Sequence, residues 1–343
     1  MEIKKKILIA LCLLFLFSSV HLPKDPFSEN EKVFIIRSGE GSKEIAQNLE
    51  KEGIIRWSLV FRAYVLATGI SDNLQAGSYS LSSSKSVFQI ARKLKKGEIV
   101  QKKITIPEGW SLRDIGNYFE EKEIAKSQEL WDVTGIPAQD YSKSEKLIPP
   151  KDFSAEFEFL KDKSKSVGLE GYLFPDTYVV IPGEGNVEIV RKMLSNFDKK
   201  LTPELRAEIA RQQKSIFDII TMASIIEKEV MNDEDRKTVS GIFWKRLSAG
   251  MPLQACPSVN YVTGKKSTQI TKEEMEIDSP FNTYKYAGLP LGPISNPGLK
   301  SIEAAIYPTK SSYWYFLNRQ DTGETVFSKN LTEHNIATAK YLR

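Results

Sequence analysis

The stretch Ser215-Ile-Phe-Asp-Ile-Ile-Thr-Met-Ala-Ser-Ile-Ile-Glu-Lys-Glu-Val230 reads as one helix over about 216–230. Ser215 stands at the capping position and Asp218 in the first turn, where a carboxylate is favourable. At 100° per residue, Ile219, Met222, Ala223, Ile226 and Val230 fall within one apolar stripe. Glu227 sits about 60° from the centre of that stripe, above Ala223 and beside Ser224. Glu229 lies about 100° off on the other flank, and Lys228 points to solvent. The positions three and four residues from Glu227 hold Ala223, Ser224, Val230 and Met231, so no cation pairs with it on its own helix. Such a carboxyl is either solvated at a groove or desolvated with a raised pKa, and a general acid requires the second state. The plainer alternative is a half-buried glutamate that reaches solvent or caps a neighbour.

Downstream, 240–247 reads as another amphipathic helix, ended by Gly250 with Pro252 two residues on. Gln254, Asn260 and Tyr261 follow, then the loop Ser279-Pro-Phe-Asn-Thr-Tyr284. Gly288-Leu-Pro-Leu-Gly-Pro-Ile-Ser-Asn-Pro-Gly298 is too stiff for disorder and too irregular for a strand. Amides, hydroxyls and aromatic faces in such loops suit a sugar, although a well-packed structural loop has the same composition. The chain closes with a hairpin through Tyr313–Leu317 and Glu324–Phe327, then a helix carrying Glu333-His-Asn335. Upstream, Leu169–Tyr178 packs three aromatics around Glu170 and Asp176, and a helical stretch is expected from about Val187 to Gln213.

The first 120 residues differ in character. Ile45 and Leu49, Ile90 and Leu94, and Ile115 and Phe119 are apolar pairs four residues apart, each preceded by a serine at capping distance: Ser42, Ser86 and Ser111. The first and third follow strand-like runs and glycine turns, Gly39-Glu-Gly41 and Pro107-Glu-Gly109. Residues 33–98 resemble the LysM-like modules of cell-wall proteins, whose strand–helix units bind glycan chains. Ahead of a polar linker at 23–32, the apolar run 7–22 follows Lys4, Lys5 and Lys6. It is somewhat short for a spanning helix, but snorkelling lysines and the weakly polar Ser18, Ser19 and His21 can stretch it. The rival is a cleavable signal peptide, for which the small-residue pairs are poor, so an uncleaved membrane anchor is expected. The basic end would stay inside and everything after about residue 23 would be exported.

Composition narrows the chemistry. With 41% hydrophobic and 27% charged residues the chain is an ordinary globular protein, and a net charge of +4 does not suggest a nucleic-acid binder. Only His21, His334, Cys12 and Cys256 are available as soft ligands, which argues against a His/Cys zinc site. No G-x-S-x-G, H-E-x-x-H or P-loop occurs. A Ser/His hydrolase would depend wholly on His334.

Taken in order, Leu169–Tyr178, Ala223-Ser-Ile-Ile-Glu-Lys-Glu229, Gly250–Gln254, Ser279–Tyr284, Gly288–Gly298 with Ser301–Ala305, and Glu333–Asn335 resemble the endolytic murein transglycosylase family (MltG, or YceG-like). The resemblance implies a single-pass inner-membrane lyase that cuts peptidoglycan glycan strands internally, with no metal or cofactor. Its partners would be the glycan strands, the inner membrane and cell-wall synthases. The implied fold is α+β: a basic cytoplasmic tail (1–6), an anchor (7–22), a linker (23–32), a LysM-like module (33–100) and a larger mixed α+β catalytic domain (101–343). The family's catalytic glutamate maps onto Glu227. Gln254, Asn282, Tyr284, Tyr178 and Ser224 are the candidate substrate contacts. The family commonly has Asp-Pro-Thr where this chain has Cys256-Pro257-Ser258, so a carboxylate is missing at 256. A peptidoglycan-binding or scaffold protein without activity, and a muramidase that uses water, are the alternatives.

Overall fold

The computed structural model describes residues 6, 7, 14, 15, 17–143, 147–230, 232–267 and 269–342. The chain divides into two compact units, Met1–Ile104 with Val179–Glu184, and Thr105–Tyr178 with Gly185–Arg343.

The first unit runs β1 (Glu31–Ile36), α1 (Ser42–Lys51), α2 (Ser58–Ala67), β2 (Gly77–Ser82) and α3 (Val87–Lys96). The strands pair antiparallel, with Glu31 opposite Ser82 and Ile36 opposite Gly77. Phe34 and Ile36 face inward while Val33 and Ile35 face out, the period of two that buries one side of a strand. Beneath them Ile45 and Leu49, Phe61 and Val65, and Ile90 and Leu94 complete a single core. Ser86 caps α3 in a reciprocal box with Gln89. Ser42 does not cap α1: the Gly41 carbonyl already accepts the Ile45 N–H, which places Ser42 inside the first turn.

The segment 179–184 also belongs to this unit, so it extends beyond the expected limits of 33–100. The Ser78 hydroxyl donates to the Pro182 carbonyl, and the Ile35 side chain occupies the space beside Gly183. Periodicity reports chain neighbours, and this return segment is remote in sequence. The expected anchor lies largely outside the described residues, as does most of the basic tail. Residues 17–21 are helical, with the His21 ring 4.5 Å from Phe17 and 5.6 Å from Phe88. Among the described residues no helix is long and apolar enough to cross a membrane.

The boundary between the units falls inside both strands of the pair β3 (Lys102–Thr105) and β4 (Thr177–Val180). Between them come α4 (Leu112–Glu121) and α5 (Ser127–Thr134). The rest of the second unit is α6 (Asn186–Lys200), α7 (Pro203–Arg211), α8 (Ile216–Glu229), α9 (Asp233–Ser248), α10 (Cys256–Thr263), the short α11 (Lys272–Met275), α12 (Leu299–Ile306), the hairpin β5 (Tyr315–Asn318) and β6 (Thr325–Ser328), and α13 (Leu331–Tyr341).

Helix α8 is the centre of this unit. Ser215 caps it, accepting the Asp218 N–H, and every residue from Ile219 to Ile226 is buried. The single apolar stripe expected from periodicity is therefore too narrow, because α7, α9, α10 and α12 all pack on this helix. The stretch expected as one helix over 187–213 is two, since Thr202 caps a new start at Pro203. Helix α9 begins at Asp233, earlier than expected, because Asn232 accepts the Glu234 N–H and three acids follow in the first turn. Those charges mask the apolar period there.

Candidate functional site

Glu227 lies in the last turn of α8, with a side chain only 7% exposed. Its Oε2 accepts the Gly298 N–H at 3.0 Å. Gly298 is the capping residue of α12, so the carboxyl sits at a helix N-terminus. Oε1 lies 3.6 Å from Nη2 of Arg236 on α9. The expectation that Glu227 lacks a cationic partner holds only along its own helix, since α9 folds back and delivers one. Arg236 is itself buried and committed elsewhere: Nε donates to the Val230 carbonyl and Nη1 to Asp233 Oδ1 at 2.6 Å, and Asp233 also pairs with Lys300.

The loop Gly288–Gly298 is bolted beneath Glu227 by buried polar groups. Ser224 accepts the Ile294 N–H at 3.0 Å and donates to the Thr221 carbonyl, while the Ser295 hydroxyl donates to the Ser224 carbonyl. Ser224 is fully buried, so it ties loop to helix and has no surface for a sugar. Asn296, also fully buried, donates to the Trp110 carbonyl at 2.9 Å and to Glu170 Oε1 at 3.1 Å, and accepts the Leu173 N–H at 2.9 Å. Backbone bonds between Gly109 and Asn296 and between Asn296 and Trp110 complete the seam.

Glu170 is the far end of this network. Both its oxygens accept the Leu112 N–H at 3.0 Å, at the start of α4 where Ser111 and Asp114 form a capping box. Burial pushes its carboxyl from about 4.5 up to about 8, with the Leu112 N–H opposing. The folded state thus holds this proton more tightly than the unfolded chain between those values, and its contribution to stability is lost as pH rises through about 8. Glu170→Gln keeps the shape, an acceptor and a donor without the titration. Its stability relative to wild type is expected to improve from pH 5 to pH 8 in urea denaturation. Parallel curves for the two proteins would refute the assignment.

The other flank of α8 carries Glu229, which burial raises to about 7 and Arg246 lowers only in part. Tyr284 and Cys256 lie near it, their hydroxyl and thiol 3.1 Å apart. Burial raises the Cys256 thiol, which opposes a nucleophilic thiolate. Gln254 is exposed, with φ of +54°, an uncommon conformation for a residue with a side chain. Its N–H donates to the Thr283 carbonyl at 3.0 Å. Asn282, expected at the substrate, is buried and turned inward, donating to the Met275 and Ile277 carbonyls and accepting the Tyr284 N–H. It shapes the loop. Tyr178 is buried as well: its hydroxyl donates to the Phe174 carbonyl and accepts from Asn196. Among the described residues no hydrogen bond, ion pair or ring contact joins Tyr178 to Glu227.

Of the five candidate contacts, then, Gln254 and Tyr284 keep exposed surface, and Tyr284 lies near Glu229. Sequence reasoning missed Arg236 and Glu108. The Glu108 carboxyl rests on Gly298, where any Cβ would overlap it. His334 stacks on Tyr315 at 5.3 Å, and burial holds it below the usual histidine range. Among the described residues, no three His, Cys, Asp or Glu side chains converge as a metal site.

A sequence profile of the YceG-like family matches residues 34–340. The endolytic murein transglycosylase of Bacillus subtilis (strain 168) is 35% identical over 329 residues, covering 93% of this chain and 88% of that protein. The endolytic murein transglycosylase of Streptococcus pneumoniae D39 is 32% identical, covering 92% of this chain, which spans 60% of that protein's length. A crystal structure of a YceG-like protein from Listeria monocytogenes aligns with a TM-score of 0.57 at 34% identity, over 90% of this chain and 100% of that one.

Proposed function

The chain belongs to the YceG-like family, and from that premise we propose that it is an endolytic murein transglycosylase with Glu227 as acid and then base. The observation that carries the residue assignment is the seating of the Glu227 carboxyl. Oε2 is taken by the Gly298 N–H, while Oε1 lies 3.6 Å from Arg236, beyond hydrogen-bonding distance, and is the oxygen left to meet a substrate.

In the proposed reaction Glu227 gives that proton to the oxygen linking N-acetylmuramic acid to N-acetylglucosamine. The bond from C1 of the muramic sugar to that oxygen breaks, and the N-acetylglucosamine leaves as an alcohol. The 6-hydroxyl of the same muramic sugar then bonds to C1 and returns its proton to Glu227. A 1,6-anhydro end results, the carboxyl is regenerated and no water enters. One carboxyl suffices because the attacking group belongs to the substrate, unlike the paired carboxylates of ordinary glycosidases.

Gln254 and Tyr284 are the proposed sugar contacts. The strand–helix–helix–strand order of the first unit supports a LysM-like glycan-binding role. The lysines before the apolar run 7–22 support an anchor in the cytoplasmic (inner) membrane, with the catalytic unit outside it and cell-wall synthases within reach.

The test is product chemistry. Peptidoglycan incubated with the full chain is expected to release anhydro-ended fragments by mass spectrometry. Reducing ends would make the protein a muramidase. Retention on the wall without cleavage would make it a binding module.

A further inference from the structure

The Glu227 carboxyl is set between a buried arginine and a helix N-terminus, two positive neighbours on one group. The turn Pro107-Glu108-Gly109 brings in an opposing group. Gly109 has φ of +76°, its N–H donates to the Asn296 carbonyl at 2.8 Å, and its carbonyl accepts from Lys228 Nζ at 3.2 Å. So held, the turn lies against the glutamate: a Cβ on Gly109 would stand 3.4 Å from Glu227 Cγ. The Glu108 carboxyl leans over the Cα of Gly298, the residue whose N–H binds Glu227. Two carboxyls remote from each other in sequence thus converge on one glycine.

No hydrogen bond or ion pair holds the Glu108 carboxyl among the described residues. The charged groups around the pair are Arg236 and Asp233 from α9, Lys300 from α12 and Lys228 from α8. Glu108 is exposed as a residue, but partial covering of its carboxyl first, then the Glu227 charge, raise that carboxyl, while Arg236 and Lys300 pull it down. Asp233 and Lys300 largely satisfy each other.

We propose that Glu108 is a positioning residue for Glu227: its carboxyl converges with that of Glu227 on Gly298, and its charge opposes that of Arg236. The inference rests on Glu227 being the proton donor.

The test compares the pH dependence of glycan cleavage by the full chain for wild type, Glu108→Gln, Glu108→Asp and Glu227→Gln. Glu108→Gln is expected to match wild type near pH 5 and to lose about tenfold in kcat at pH 7.5, with KM unchanged, since the alkaline limb moves down by about one pH unit. Glu108→Asp, which keeps the charge, is expected to restore the limb. An unshifted profile for Glu108→Gln, or an equal loss at every pH, would overturn the role given to Glu108 while leaving Glu227 in place. Cleavage by Glu227→Gln would instead remove the proton donor, and the inference with it. Melting temperatures near wild type are expected for both Glu108 variants, whose side chain lies at an exposed rim.

Discussion

Glu227→Gln is expected to slow glycan cleavage by about a thousandfold, within the range over which general acid–base groups act, while wall binding and folding persist. The glutamine amide has the same outline and retains an oxygen for the Gly298 N–H. Arg236 loses one neighbour but keeps Asp233 and the Val230 carbonyl, so it is not stranded as a buried unpaired charge. What disappears is the proton, needed first on the leaving oxygen and then taken back from the 6-hydroxyl. Turnover would be followed as release of anhydro-ended fragments, with a pull-down on insoluble peptidoglycan as the control. A variant within tenfold of wild type would end the assignment of Glu227.

Asn296→Ala is expected to cost about 3 kcal/mol of unfolding free energy, the sum of three buried hydrogen bonds at about 1 kcal/mol each. Its amide ties the loop to two other segments, through the Trp110 carbonyl on one and the Glu170 carboxyl and Leu173 N–H on the other. Removing it leaves the Leu173 N–H buried without this partner, and an orphaned donor is costly because no water reaches it. Cleavage is expected to fall too, since the loop that carries Gly298 is pinned to the 109–110 turn through this residue. Urea denaturation measures the first effect. A loss below 1 kcal/mol would mean that solvent enters the seam and replaces the amide.

Much of α8 was legible. Ser215 announces the start by its spacing to Asp218, and helical rotation separates Glu227 from Glu229, which the structure places in different neighbourhoods. The turn at Gly250 and the closing hairpin were legible for similar local reasons. The site was less so. Arg236 belongs to the next helix, Glu108 to a turn far upstream, and Asn296 to a loop far downstream, and no periodicity links them. Ser224 and Asn282 show the complementary error: a polar residue in a suggestive motif looks available to ligand, yet both are buried and saturated by the backbone. Cys256 shows a third limit. It is the first residue of α10, and its ring of neighbours (Tyr284, with Glu229 close by) comes from loop and helix segments that no local pattern connects.

The return of 179–184 to the first unit has a consequence for the order in which the protein is made. A chain emerging from the ribosome delivers residues 1–104 early, but Ser78 and Ile35 must wait for Pro182 and Gly183. Domains that are contiguous in sequence can fold as they emerge. Here the earlier unit is completed only after the whole of 105–178 has been synthesised, so the nascent first unit keeps one open flank through that interval.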